Sequence, residues 1–181
     1  MSVNEKRDIL KSIVVLLVIC IVISAALAVV NHFTAPVSSA NAALREDNAR
    51  RALIPQAESF APLTQPLGEG VVSAYAAEAD GALCGYVFTT EGKGFGGTIS
   101  VLCAIGTDGT IISVQTLDVS GETSTLGGKT AEESYTSQYI GKDASLAGVD
   151  AISHATITSE AYEGCVQAAF AAYESIKEAE G

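Results

Sequence analysis

Tryptophan is absent from this 181-residue chain, and five Phe and six Tyr bring the aromatics to only 6%. The interior has to come largely from alternating aliphatic positions, and the stretch beyond Asn31 supplies them. Basic side chains are scarce too, ten Lys and Arg against twenty-one Asp and Glu, for a formal net charge of −11. Nucleic-acid binders gain affinity by setting Lys and Arg beside phosphates, so this balance excludes nucleic acid as a partner. The four cysteines form no C-x-x-C and show no Cys/His ligand spacing, which excludes the common metal sites. The length leaves room for one ordinary domain plus something short.

What the chain does have is a charge-free apolar run of nineteen residues, Ser12–Val30. As a helix it spans roughly 28 Å, close to the ~30 Å hydrocarbon core of a bilayer, which excludes a fully cytosolic protein. Lys6, Arg7 and Lys11 precede the run, and the twelve residues after Val30 contain no Lys or Arg. The positive-inside rule then puts the N-terminus in the cytoplasm and the rest outside. A cleavable signal peptide cut at Ala26-Leu27-Ala28 is the competing reading. The run continues through Val29 and Val30 past that cut, so an uncleaved anchor in the lipid bilayer is expected. Beyond residue 30 the chain carries seven basic and nineteen acidic side chains. The expected division is a cytoplasmic segment 1–11, a span 12–30, a juxtamembrane helix and connection 31–66, and an exterior domain 67–181.

Thr34-Ala35-Pro36 is expected to close the membrane helix, and Ser38 or Ser39 to cap a new one running to about Leu53. Pro55, Pro62 and Pro66 mark an irregular connection. Period-two runs predict strands at Val71–Ala77, Leu83–Thr89, Thr98–Ile105 and Thr110–Leu117, the last two joined by the turn Gly106-Thr107-Asp108-Gly109. In the third run Ile99, Val101 and Cys103 point inward, against Ser100 and Leu102. Ala131–Tyr139 reads as a short helix. A final helix, about Ser159–Glu178 with Thr158 as N-cap, carries an apolar stripe of Tyr162, Val166, Ala169, Phe170, Tyr173 and Ile176. Strands grouped between helices give an α+β class, an antiparallel sheet with packed helices. Of the exterior cysteines, Cys84 and Cys103 sit in strand-like runs and are candidates for a cross-strand pair; the expectation is three small buried thiols and no essential disulfide.

Three segments carry chemistry. Asp150-Ala151-Ile152-Ser153-His154-Ala155-Thr156-Ile157-Thr158 is a small-residue loop feeding a helix N-terminus, where unpaired N–H groups and the positive dipole end favour an anion. The plainer reading is ordinary capping by Thr158. Gly92-Lys93-Gly94-Phe95-Gly96-Gly97 imitates a nucleotide-binding glycine loop but is followed by a strand, so a dinucleotide site is rejected. Glu122-Thr123-Ser124-Thr125-Leu126-Gly127 is a polar loop between the strands and the short helix.

Taken together, the segments resemble the FMN-binding domain shared by the G subunit of Rnf-type ferredoxin:NAD oxidoreductases and the C subunit of sodium-translocating NADH:quinone reductases. Asp150-x-x-Ser153-x-Ala155-Thr156 is similar to the family's flavinylation motif. Gly94-Phe95-Gly96-Gly97-Thr98-Ile99 with Asp108–Ile111, and Glu122–Gly127, match two further motifs in the family's order. The resemblance implies FMN joined to Thr156 through a phosphoester, installed by a flavin transferase, with Ser153, His154, Ala155 and Asp150 around it. It also implies that Glu122, Thr123, Leu126 and Gly127 form a second wall and that Lys129 offsets phosphate charge, a solvated loop lysine being the alternative.

The same resemblance implies an electron-carrying subunit in a bacterial or archaeal cell membrane, with other membrane subunits of an Rnf-type complex as partners. A stand-alone anchored flavoprotein feeding an extracellular reductase and a flavin-free assembly module are the alternatives. No acid, base or nucleophile constellation is visible. The sequence departs from the family pattern at two places. His154 stands where the family usually has Gly, a cost if that position needs φ > 0, and Ser124-Thr125 replaces Pro-Gly. His154 either contacts phosphate or flavin or simply faces solvent.

Overall fold

The structure, a computed structural model, describes residues 3–65 and 67–180. Helix α1 runs Val3–Leu53 and is followed by strands β1 (Ser59–Pro62), β2 (Val71–Ala79), β3 (Ala82–Lys93), β4 (Thr98–Gly106) and β5 (Ile111–Asp118). A short helix α2 (Glu133–Thr136) lies between 3₁₀ turns at Gly127–Ala131 and Ser137–Tyr139, and α3 (Thr156–Glu180) ends the chain. Two compact units result, Met1–Leu44 and Arg45–Gly181.

In the first unit, Ile13–Ala35 is long and apolar enough to cross a membrane, and its large side chains from Ile13 to Val30 are exposed along their length. The expected helix break at Pro36 does not occur. A proline forfeits one N–H bond and crowds the preceding turn, at ~3 kcal/mol. Ending and restarting a helix leaves four carbonyls and four N–H groups without partners and repeats the nucleation step. Helix formers on both sides make continuation the cheaper outcome. Ser38 and Ser39 are therefore interior residues rather than caps, and Thr34 Oγ1 donates back to the Val30 carbonyl at 2.7 Å.

In the second unit the five strands form an antiparallel meander in the order β1-β2-β3-β4-β5. All four predicted strands are present. The turn between β4 and β5 is closed by Gly109 N–H to the Gly106 carbonyl at 3.0 Å, with Gly109 at φ 80°. Strand β1 falls in the stretch read as irregular, and Pro66 lies outside the described residues. Pro62 ends β1 on the sheet edge, where a missing N–H breaks no ladder.

One face of the sheet carries Ile99, Val101, Cys103 and Ile105 against the whole predicted stripe of α3, all of it buried. The other face is buried as well, so Leu102 is not solvent-facing as its alternation suggested. It packs with Val87, Ala104, Ala49, Leu53 and Ile54, the end of α1 covering this side. Arg50 fixes that cover. Its guanidinium lies 3.5 Å from the centre of the Tyr75 ring, and it pairs with Glu46 at 3.6 Å. Glu46 Oε1 in turn accepts from Thr89 Oγ1 at 2.7 Å and Ser73 Oγ at 3.0 Å, tying helix to β2 and β3. The predicted helix Ala131–Tyr139 is broken into turns.

All four cysteines are free. Cys103 pairs in register with Phe88 and faces the α3 side, whereas Cys84 packs on the opposite side, so no cross-strand pair is possible. Burial pushes the Cys103 thiol up to about 12 and Cys165 up to about 11. Both therefore remain protonated and unreactive at neutral pH. In the native protein a maleimide should label Cys84 before Cys103 and Cys165, which should react only on unfolding. Reducing agent should leave the melting temperature unchanged, and a reductant-sensitive melt would contradict this arrangement.

Candidate functional site

The three sequence segments meet at one carboxylate. Glu122 Oε1 accepts from the Gly96 N–H at 2.8 Å, and Oε2 accepts from Thr158 Oγ1 at 2.8 Å. A Cβ at Gly96 would overlap the Gly121 carbonyl oxygen, so the glycine-rich turn reaches this contact only without a side chain there. Gly127 is under the same constraint from the other side, because a Cβ would overlap Glu122 Oε2 and stand 2.8 Å from Thr158 Oγ1.

The 122–127 loop is secured from below. Buried Thr130 donates to the Gly127 carbonyl at 2.8 Å, and Thr116 Oγ1 on β5 donates to the Thr130 carbonyl at 2.8 Å. Thr116 also bonds the Tyr162 hydroxyl at 3.3 Å, which links the loop to α3. Tyr162 contacts Tyr135 and Tyr139 in a buried aromatic cluster, and burial raises the pKa of all three. They are packing groups in their phenol form.

The loop leading into α3 differs from expectation at one point. Helix α3 begins at Thr156, two residues before the predicted cap. Thr158 is a buried residue of the first turn, and its hydroxyl is committed to Glu122 rather than to its own helix. Ser159 Oγ instead accepts from the Ile152 N–H at 3.0 Å, and Ser159 N–H donates to the Ala155 carbonyl at 2.9 Å, closing the first helical bond. The N–H groups of Thr156, Ile157 and Thr158 precede that bond and have no partner among the described residues. His154 has φ 66°, so the position does require the left-handed region that glycine fills at no steric cost.

His154, Ala155, Thr156, Ile157 and Thr158 line an open cleft of about 250 Å³ together with Phe95. The Thr156 side chain is exposed there, and Ala155 is buried beneath it. Not every predicted residue joins this cleft. Lys129 and Asp150 line a separate, polar cleft of about 460 Å³ with Gln138 and Tyr135, and the Gln138 amide oxygen accepts from the Asp150 N–H at 2.9 Å. Ser153 and Thr123 are exposed; the Thr123 carbonyl accepts from the Leu126 and Gly128 N–H groups, both at 2.9 Å, and so shapes the loop. Leu126 is 38% exposed at its apex. Sequence reasoning missed Phe95 and Ile157, which stand 76% and 53% exposed on the cleft. The available signal was a large apolar residue inside each motif, Phe95 within the glycine-rich turn and Ile157 between Thr156 and Thr158.

Two substitutions test this construction. Glu122→Ala removes two charge-assisted bonds at once and should cost about 2–3 kcal/mol in urea unfolding. A loss under half a kilocalorie would show that the carboxylate does not hold the loops together. His154→Gly should raise stability by ~0.5–1 kcal/mol, because relief of the left-handed strain outweighs the added chain entropy. A decrease would mean that the imidazole has a contact that offsets its backbone cost.

Residues 94–171 match the FMN-binding domain family. The chain is also 28% identical over 156 residues to the G subunit of the proton-translocating ferredoxin:NAD(+) oxidoreductase complex of Clostridium ljungdahlii, covering 81% of each chain. The matched region starts at the glycine-rich turn, contains Glu122 and Thr156, and ends within α3. With a segment long and apolar enough to cross a membrane ahead of it, the protein is a single-pass membrane protein whose residues 94–171 match the FMN-binding domain family and whose sequence is similar to the G subunit of an Rnf-type complex.

Proposed function

We propose that this chain is the membrane-anchored electron carrier of an Rnf-type complex, holding FMN through a phosphoester to Thr156. The observation that carries the reading is the Thr156 hydroxyl. It is exposed in the cleft, at the first residue of α3, inside the family match. A phosphoryl group there meets the unpartnered N–H groups of the first helical turn and the positive end of the helix dipole, and needs no cation of its own.

The residues present fit the group. Small-molecule sites usually enclose ~300–1,000 Å³ and bury most of the ligand, whereas this cleft is smaller and open. Contact alone would retain a flavin poorly on such a surface, and a covalent link removes that requirement. When bound, the isoalloxazine supplies the redox chemistry. The protein supplies position. Glu122 holds the glycine-rich turn, the 122–127 loop and the helix start in one arrangement, and the apolar side chains of the cleft exclude water from one side of the ligand. Asp150, Lys129 and Ser153 act on the loop and its surroundings rather than on the acceptor hydroxyl.

The flavin domain lies on the extracytoplasmic side, a reading supported by the charge asymmetry around the membrane segment, and it takes in the end of α1 and strand β1, which the sequence alone assigns to the connection before residue 67. Other membrane subunits of the complex are the electron partners in transfer from ferredoxin to NAD coupled to ion transport, and a flavin transferase is the maturation partner. Thr156→Val should abolish the FMN mass addition and the in-gel flavin fluorescence of protein coexpressed with that transferase, with the fold retained. Thr158→Val should keep the flavin and lose about 1–2 kcal/mol through the lost Glu122 bond. Covalent FMN on the Thr156→Val protein would refute the assignment.

A further inference from the structure

We propose that Phe95 is the stacking face for the flavin ring, a positioning residue that sequence motifs alone do not identify; this rests on the FMN reading of Thr156. Phe95 is 76% exposed, the most exposed large hydrophobic side chain in the described part of the second unit, an unfavourable place for such a side chain without a ligand. A slack loop does not explain it, because the turn is fixed on both sides of the residue. The Gly94 N–H donates to the Gly97 carbonyl at 2.8 Å, and the Gly96 N–H donates to Glu122 Oε1 at 2.8 Å. Cβ atoms at Gly94 and Gly96 would overlap Glu122 Oε1 and the Gly121 carbonyl oxygen, so the backbone around Phe95 is packed as tightly as its sequence permits.

The fixed turn presents Phe95 on the cleft that holds Thr156. A phosphoryl group on Thr156 pins one end of the ligand there. The planar, largely apolar ring at the other end then has to lie on apolar surface to leave water. Among the residues lining the cleft, Phe95, Ala155 and Ile157 are apolar, and Ala155 is buried, which leaves Phe95 and Ile157 as the exposed apolar surfaces. Only Phe95 offers a flat aromatic face, and aromatic rings favour offset stacking. Glu122 thus acts twice, once in closing the helix start and once in aiming Phe95.

The test uses the full-length chain in detergent, coexpressed with a flavin transferase, with time-resolved fluorescence of the covalent flavin. A phenol or indole in contact with photoexcited flavin passes it an electron and takes the electron back, with no net chemistry and loss of emission. Phe95→Tyr and Phe95→Trp should therefore shorten the lifetime several-fold, and Phe95→Leu should not. Phe95→Ala should let the ring reorient faster, seen as quicker decay of anisotropy. The buried tyrosines are present in every variant, so differences between variants report on position 95. FMN mass addition and far-UV circular dichroism verify that each variant is loaded and folded.

Wild-type lifetimes in both Phe95→Tyr and Phe95→Trp, with unchanged anisotropy in Phe95→Ala, overturn the stacking role while leaving the Thr156 assignment standing. A wild-type chain without covalent flavin, or a Thr156→Val chain that keeps it, overturns both.

Discussion

One side chain holds the site together. The Glu122 carboxylate receives a backbone N–H from the glycine-rich turn and a hydroxyl from the first turn of α3, each at 2.8 Å. The groups it joins lie 26 and 36 residues from it in sequence. Carboxylate bonds of this kind are roughly twice as strong as neutral ones and leave little angular freedom. They are also why glycines recur around the site. Side chains at Gly96 or Gly127 would occupy the volume that the carboxylate and its neighbouring backbone need. Loops are the most variable parts of most domains. Here three loops behave as a single structural unit because one acceptor saturates donors from two of them.

That unit depends on the sheet beneath it. Strands β3 and β4 are buried on both faces, by α3 on one side and the end of α1 on the other. Double coverage explains which features of the fold were readable from sequence. The α3 stripe and the turn at Gly106–Gly109 are local patterns, with period 3.6 and a glycine-closed reversal, and both appear where their residues predict. Leu102 was misread because alternation assumes that one face meets solvent. In β4 the second face meets Ala49 and Leu53, a contact made by residues fifty positions away that no local period contains. The Pro36 break failed for a related reason. Proline's cost is local, but the alternative to continuation is two frayed helix ends, and the balance is settled by helix formers on both sides.

The site was readable in a different way. Motif order singled out the three segments that the fold brings together at Glu122, since each short pattern has few substitutes. The roles inside the motifs were less accessible. Thr158 has every local mark of an N-cap, yet its hydroxyl serves Glu122, and the helix starts two residues earlier with Ser159 closing the turn. Capping statistics weigh only neighbours in sequence, and a long-range acceptor outcompetes them. The opposite holds for His154. Its departure from glycine suggested a backbone cost, and φ 66° locates that cost in the turn immediately before the acceptor. Strain at a loop adjoining a ligand site is where a folded protein tolerates it, because the surrounding contacts over-determine the backbone.

Charge sets the last constraint. The chain beyond residue 30 is strongly acidic, and the phosphoester proposed for Thr156 would add a further negative charge. Lys129, the cation expected to offset it, lines the neighbouring cleft with Asp150 instead. With a phosphoester on Thr156 as proposed, neutralisation would fall to dipoles, the N–H groups of Thr156, Ile157 and Thr158 at the start of a 25-residue helix. Fixed dipoles do not titrate and do not move. The acidic surface has a second consequence, since like-charged surroundings disfavour any further negative charge close to the cleft. On the proposed FMN reading, the helix start would hold the phosphate and the exposed apolar side chains would face the ring, and the Glu122 carboxylate ties the helix start to the glycine-rich turn that carries Phe95.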